Sequence, residues 1–238
     1  MLWIGCELMK KRMMVFGVLI IMIGGLIGLK NYLVLFYGGN EEFKNQFVNI
    51  QNLEITQNQI SPNVTFERMS LHIPESFYEL EEESLTNNKT FVSREGETPL
   101  RIIIGDQKRY YKEVLEDINR MKRLNSEKLM KRYHLQNGVD LFKYYYEHKD
   151  EKGNIFWDLN HLKMNSLAAT YTWIASYFSK ENYFLVKELN GFMAYGNNSY
   201  FVTVAQGEEM YQLAFWSNEE HAFTYEQVLD ILQSIRFI

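Results

Sequence analysis

Five histidines, His72, His134, His148, His161 and His221, are the residues best suited to proton transfer or to holding a metal. None of them forms HExxH or another close ligand pair. A hairpin across residues 141–162 would bring His148 and His161 together, which gives two ligands and no identified third. Glu79, Glu81, Glu82 and Glu83 offer the oxygen donors that calcium prefers, but without the DxDxDG spacing of a calcium loop. They read as a solvated acidic turn. There is no GxSxG elbow and no SxxK, and the glycines fit neither a P-loop nor a GxGxxG fingerprint. Carboxylates are too numerous for one pair to stand out as acid and base. The sequence therefore assigns no catalytic residue, no cofactor-binding residue, no metal ligand and no cofactor. A site assembled from residues distant in sequence would escape this search.

The segment with the plainest physical meaning lies at the start. Lys10, Lys11 and Arg12 precede an uncharged run from Met13 to Leu29, and a second apolar run reaches Tyr37 after Lys30. A bilayer core of about 30 Å needs roughly 20 apolar residues, so residues 13–37 are expected to form a transmembrane anchor. A cleaved signal peptide is the rival reading. It should end in a small-x-small site, and Leu-Lys-Asn-Tyr-Leu-Val-Leu-Phe has none. Basic residues before the run and Glu41 and Glu42 after it place residues 1–12 in the cytoplasm and the bulk of the chain outside.

Of 25 basic and 30 acidic residues, the first 38 positions hold four and one, so the remainder carries a net charge of −8. That balance disfavours general nucleic-acid binding and flat adhesion to anionic lipid. Cys6 is the single cysteine, so the part beyond residue 38 has no disulfide and no thiol nucleophile. Aromatic residues make up 15% of the chain, which argues for a packed core. Frequent asparagine and lysine with only three prolines fit a low-GC bacterium.

Residues 38–65, rich in Asn and Gln, read as a polar stalk. Alternation predicts a strand over 66–73 and a hairpin from 91–93 to 100–104. Residues 112–134 carry a broken apolar stripe and predict a helix, with Asn125 and Ser126 as a place where it would split. Its second half is basic, with Arg120, Lys122, Arg123, Lys128, Lys131 and Arg132; it could meet an acidic partner or an anionic bilayer, or be a solvated face. Residues 141–148 and 155–162 predict a second hairpin, whose Tyr144, Tyr145 and Tyr146 cannot share one face. Residues 166–178 fit helix or strand. Strands are expected over 183–188, 191–195, 200–205 and 210–216, then a helix begun by Thr224.

The ending "YFVTVAQGEEMYQLAFWSNEEHAFTYEQVLDILQSIRFI", a hairpin, a polar loop and an amphipathic helix, together with "MSLHIPESFYEL", resembles the Mog1/PsbP-like superfamily over residues 66–238. That resemblance implies an α/β/α sandwich around an antiparallel sheet. It also implies a binding or accessory role with no shared catalytic set. The expected fold class is thus α+β, an N-terminal transmembrane helix followed by an antiparallel sheet packed with helices. The expected domains are a cytoplasmic 1–12, an anchor 13–37, a stalk 38–65 and an extracytoplasmic domain 66–238. The expected function is a membrane-anchored extracytoplasmic binding or accessory module of a bacterial cell envelope. The membrane would be contacted through 13–37, and a protein or envelope component would be the partner. The alternative is an envelope hydrolase with a dispersed site.

Overall fold

The computed structural model describes residues 51–81, 87–94, 99–148, 159–175, 183–186, 188–196, 198–217 and 221–238, with Leu29 and Tyr37. Its strands are β1 (Gln51–Leu53), β2 (Val64–Phe66), β3 (Met69–Leu71), β4 (Phe77–Glu79), β5 (Asn88–Ser93), β6 (Arg101–Asp106), β7 (Tyr183–Val186), β8 (Gly191–Gly196), β9 (Ser199–Gln206), β10 (Glu209–Trp216) and β11 (Arg236–Phe237). Its helices are α1 (Lys108–Lys122), α2 (Ser126–Arg132), α3 (Gly138–His148), α4 (Leu159–Ala175) and α5 (Tyr225–Gln233). The main sheet has eight strands in the order β1-β7-β8-β9-β10-β6-β5-β4, and a three-stranded sheet runs β11-β3-β2. β1 pairs parallel with β7, while the other neighbours are antiparallel.

The pleat sorts the core into two halves. Successive strand residues point to opposite faces. Phe192, Ala194, Ala205 and Met210 face the layer formed by α1 to α4. Met193, Tyr200, Val202, Val204, Tyr211, Leu213 and Phe215 face α5 and the small sheet. β9 is buried from Ser199 to Ala205, as a central strand covered on both faces must be. Each fully buried side chain of this size contributes about 1.5–3 kcal/mol. The domain is therefore three-layered: four helices, the large sheet, then α5 with the small sheet.

Several expected elements stand where the sequence put them. β5 and β6 form the first hairpin, and β7 to β10 follow the predicted order. Asn198 (φ 59°) and Gly207 (φ 61°) take left-handed backbone at the β8–β9 and β9–β10 turns. Thr224 caps α5 through a capping box with Gln227. The helix over 112–134 does split. Arg123 is left-handed at φ 49°, and the Asn125 side chain caps α2 by accepting from Lys128 N. Gln51–Leu53, inside the segment read as a stalk, forms β1, and Leu53 and Ile55 are buried.

Three expectations are corrected. The strand over 66–73 is a hairpin, β2 to β3, turning through Glu67 at φ 52°. The second hairpin does not exist, because residues 138–148 and 159–175 are helices α3 and α4. Its aromatic and β-branched residues mimic strands. The buried set Val139, Leu141, Phe142, Tyr144 and Tyr145 instead follows a helical face. The transmembrane helix in the expected fold class is the third correction: among the described residues no helix is long and apolar enough to cross a membrane. α4 is the longest described helix, with 17 residues. It would span about 25 Å against a core of about 30 Å. It also carries His161 and Lys163, which water or a partner must solvate. The segment 13–37 lies outside the described residues apart from Leu29 and Tyr37. Tyr37 is buried, with the Lys163 ammonium 5.6 Å from its ring centre.

Candidate functional site: a cleft beside α1 and α2

A cleft of about 900 Å³ opens between α1, α2 and the β9–β10 turn. Lys108, Tyr111, Lys112, Leu115, Glu116 and Asn119 form one wall. Their spacing of three and four residues places them on a single side of α1. Ser126, Glu127, Met130 and Lys131 come from α2, followed by His134, Leu135 and Gln136, and the turn adds Gly207 and Glu208.

Hydrogen bonds hold these walls at fixed positions. Asn119 Nδ2 donates to Ser126 Oγ at 2.9 Å, and Ser126 N donates to Asn119 Oδ1 at 2.8 Å. The last turn of α1 and the first of α2 are thereby locked together. Asn137 Nδ2 donates to Gly207 O at 2.8 Å, tying the start of α3 to the strand turn. Asp140 accepts from Gln136 N at 2.7 Å and from Asn137 N at 3.3 Å, which closes the loop between α2 and α3. Lys108 Nζ bonds Glu209 Oε1 at 2.8 Å, and that bond raises the lysine's pKa.

The floor is apolar. Tyr111 Oη donates to Met130 Sδ at 3.1 Å, and the Tyr111 ring meets Tyr171 edge-on at 5.6 Å. Burial pushes the Tyr111 phenol far above its ordinary range, and Asp140 and Glu208 push the same way. This phenol is therefore a hydrogen-bond donor and not a base. The cleft so combines an apolar floor with lysines and carboxylates on its rim.

The histidines are distributed as follows. His134 lines the cleft in left-handed conformation (φ 57°), and among the described residues no hydrogen bond joins it to a carboxylate. His148 and His161 do come together, 6.1 Å between ring centres, but across two helices. His148 stacks on Tyr144 at 4.2 Å, and its Nδ1 is 2.8 Å from Tyr144 O. His161 Nδ1 is 3.1 Å from Tyr144 Oη, and its Nε2 is 3.2 Å from Asn165 Nδ2. Nδ1 of His161 thus joins α4 to α3, while its Nε2 is occupied within α4. His72 Nδ1 lies 3.2 Å from Ser61 O, and His221 is exposed. Among the described residues no group of three or more His, Cys, Asp or Glu could hold a metal ion. Glu79 pairs with Lys89 at 3.1 Å and Glu81 is exposed, while Glu82 and Glu83 lie outside the described residues.

No family model, curated protein or solved structure matches the chain. Of the cleft residues, the sequence reading singled out His134 as a candidate histidine and Lys131 as part of the basic stretch, and none of the others as a site. Their signal was present in the repeat 108, 111, 112, 115, 116, 119, which continues the α1 stripe with polar as well as apolar side chains. What the sequence did not carry was the second wall, since Gly207 and Glu208 lie far along the chain.

Proposed function

We propose that the domain is an extracytoplasmic binding or accessory module of a bacterial cell envelope, and that the α1–α2 cleft seats a segment of a protein partner. The observation that carries this reading is the construction of the cleft. Its walls are fixed by side-chain bonds from Asn119 and Asn137, its floor is Tyr111 on Met130, and its rim alternates Lys112, Glu116, Glu127 and Lys131. Such a site suits a polypeptide that buries one or two apolar side chains between charged ones. The resemblance to the Mog1/PsbP-like superfamily points to the same kind of role. The basic residues ahead of the first apolar run support a location outside the cytoplasm.

The test uses the full chain in cells with a photocrosslinking residue at Leu115, which lines the cleft, or at Asp230, exposed on α5. The expected result is a discrete protein adduct from position 115 that Lys112→Trp abolishes, with none from position 230. No adduct at 115, or adducts from both positions insensitive to Lys112→Trp, overturns the reading. The location is tested separately by protease treatment of intact, wall-stripped cells carrying a C-terminal tag. Loss of the tag supports it, and a protected tag refutes it.

A further inference from the structure

The cleft accounts for only part of the charge on these helices. Residues 120–133 contain Arg120, Lys122, Arg123, Lys128, Lys131 and Arg132 against one acid, Glu127. This stretch carries a net charge of +5 in a chain whose total is −5, so the rest carries −10. Arg120 is held by Asp117. Arg123, Lys128 and Arg132 are exposed and do not line the cleft. The two hydrogen bonds between Asn119 and Ser126 gather the end of α1 and the start of α2 into one corner. At that corner Met121 is 54% exposed, between Arg120 and the pair Lys122–Arg123.

We propose that this corner is a contact surface for the anionic face of a lipid bilayer. An acidic peptide would meet only the cations, whereas a bilayer offers both a sheet of charge and an apolar layer for the exposed Met121. Cations at such a surface gain from every anionic headgroup within about one Debye length, roughly 10 Å at 0.1 M salt. An exposed methionine among them can enter the boundary between headgroups and acyl chains. The separation of +5 from −10 also orients the domain, since an anionic plane attracts this corner and repels the remainder.

The test places an environment-sensitive fluorophore on the full chain through Met121→Cys with Cys6→Ser, which removes the single native thiol. The protein is mixed with vesicles of phosphatidylcholine alone or with a third of phosphatidylglycerol. The expected result is a blue-shifted emission on the anionic vesicles only, reversed as salt is raised from about 0.05 to 0.5 M. Each cation near the surface is worth about fivefold in binding, so Lys128→Glu with Arg132→Glu should weaken the response by more than about 25-fold. Two outcomes overturn the proposal: equal emission on both vesicles, or a response that survives the charge reversals and high salt. A third is a response to polyglutamate that matches the anionic vesicles, which would assign the corner to an acidic protein. Because Lys128 and Arg132 do not line the cleft, the Leu115 crosslink reports separately on whether the proposed partner still binds.

Discussion

Replacing Gly138 by alanine should destabilise the domain, against the ordinary rule for helices. Gly138 is the first residue of α3 and is buried. In an open helix, Gly→Ala gains about 1 kcal/mol from backbone entropy. Here a Cβ would stand 1.9 Å from Tyr171 Oη and 2.4 Å from its Cζ. The ring has little freedom to move aside. Tyr171 is 2% exposed and packs edge-on against Tyr111. Nor can the start of α3 easily withdraw, because Gly138 N is 3.3 Å from Met210 Sδ. Overpacking of this kind costs about 1–3 kcal/mol, occasionally more. Set against the propensity gain, the expected net loss reaches about 2 kcal/mol, or up to roughly 8 °C in Tm for a domain of this size. Thermal and guanidinium unfolding followed by circular dichroism would measure it. On a Tyr171→Leu background the ring is gone, and Gly138→Ala should then cost less than it does in the native chain. A Gly138→Ala protein that melts higher than the native one would refute the packing argument. Because Tyr111 is the floor of the cleft, the same substitution should also lower the yield of the Leu115 crosslink.

Thr224→Ala removes the half of the α5 capping box in which the Thr224 hydroxyl accepts from Gln227 N and should cost about 1 kcal/mol by denaturant unfolding, with Thr224→Ser restoring most of it. Asn119→Ala breaks the two bonds that lock α1 to α2; about 1–3 kcal/mol should be lost, and amide exchange should speed up in α2 before the rest of the domain. The Glu67 carboxyl is held above its ordinary range by burial first, then by Asp106 and Glu209, against the pull of Lys108 and a bond from Tyr211. A raised carboxyl favours its protonated form in the folded state. That stabilisation is present below the ordinary carboxyl range and is lost as pH rises through the folded value. Glu67→Gln should therefore raise Tm at neutral pH, by an amount that shrinks on acidification; an equal gain at every pH would contradict this.

The parts of the fold that the sequence announced are those whose own residues settle their structure. β9 and β10 alternate across a pleat, and α5 has a side-chain cap and a stripe of Val228, Ile231 and Leu232. α3 and α4 were read as strand or left undecided because their composition pulls the wrong way. Tyr144, Tyr145, Thr170, Tyr171, Thr172 and Ile174 all have β propensity. Tertiary packing overrides it: Phe142 stacks on Phe192 of β8 at 4.5 Å, and α4 buries Met164, Leu167 and Ala168. The pairing of His148 with His161 was foreseen, but through the wrong elements. The cleft stayed hidden because its walls come from α1, α2 and a turn whose place beside α1 is set by the β6–β10 pairing of the large sheet.

The two outer seams of the domain join residues made far apart in time. Ser70 of β3 bonds Arg236, 166 positions away, and Ile55, just beyond β1, bonds Glu188, 133 positions away. At about 5–20 residues per second, β3 waits roughly 10–30 s for β11 to emerge from the ribosome. Meanwhile the edge that β11 will cover, with Met69 and Leu71 beside it, is open to any other strand. The helices and the β8–β10 meander close over short loops and can form at once. Mispairing is therefore most probable in that interval, and a substitution that slows closure at β11 should lower the yield of soluble protein more than it lowers the stability of the molecules that fold.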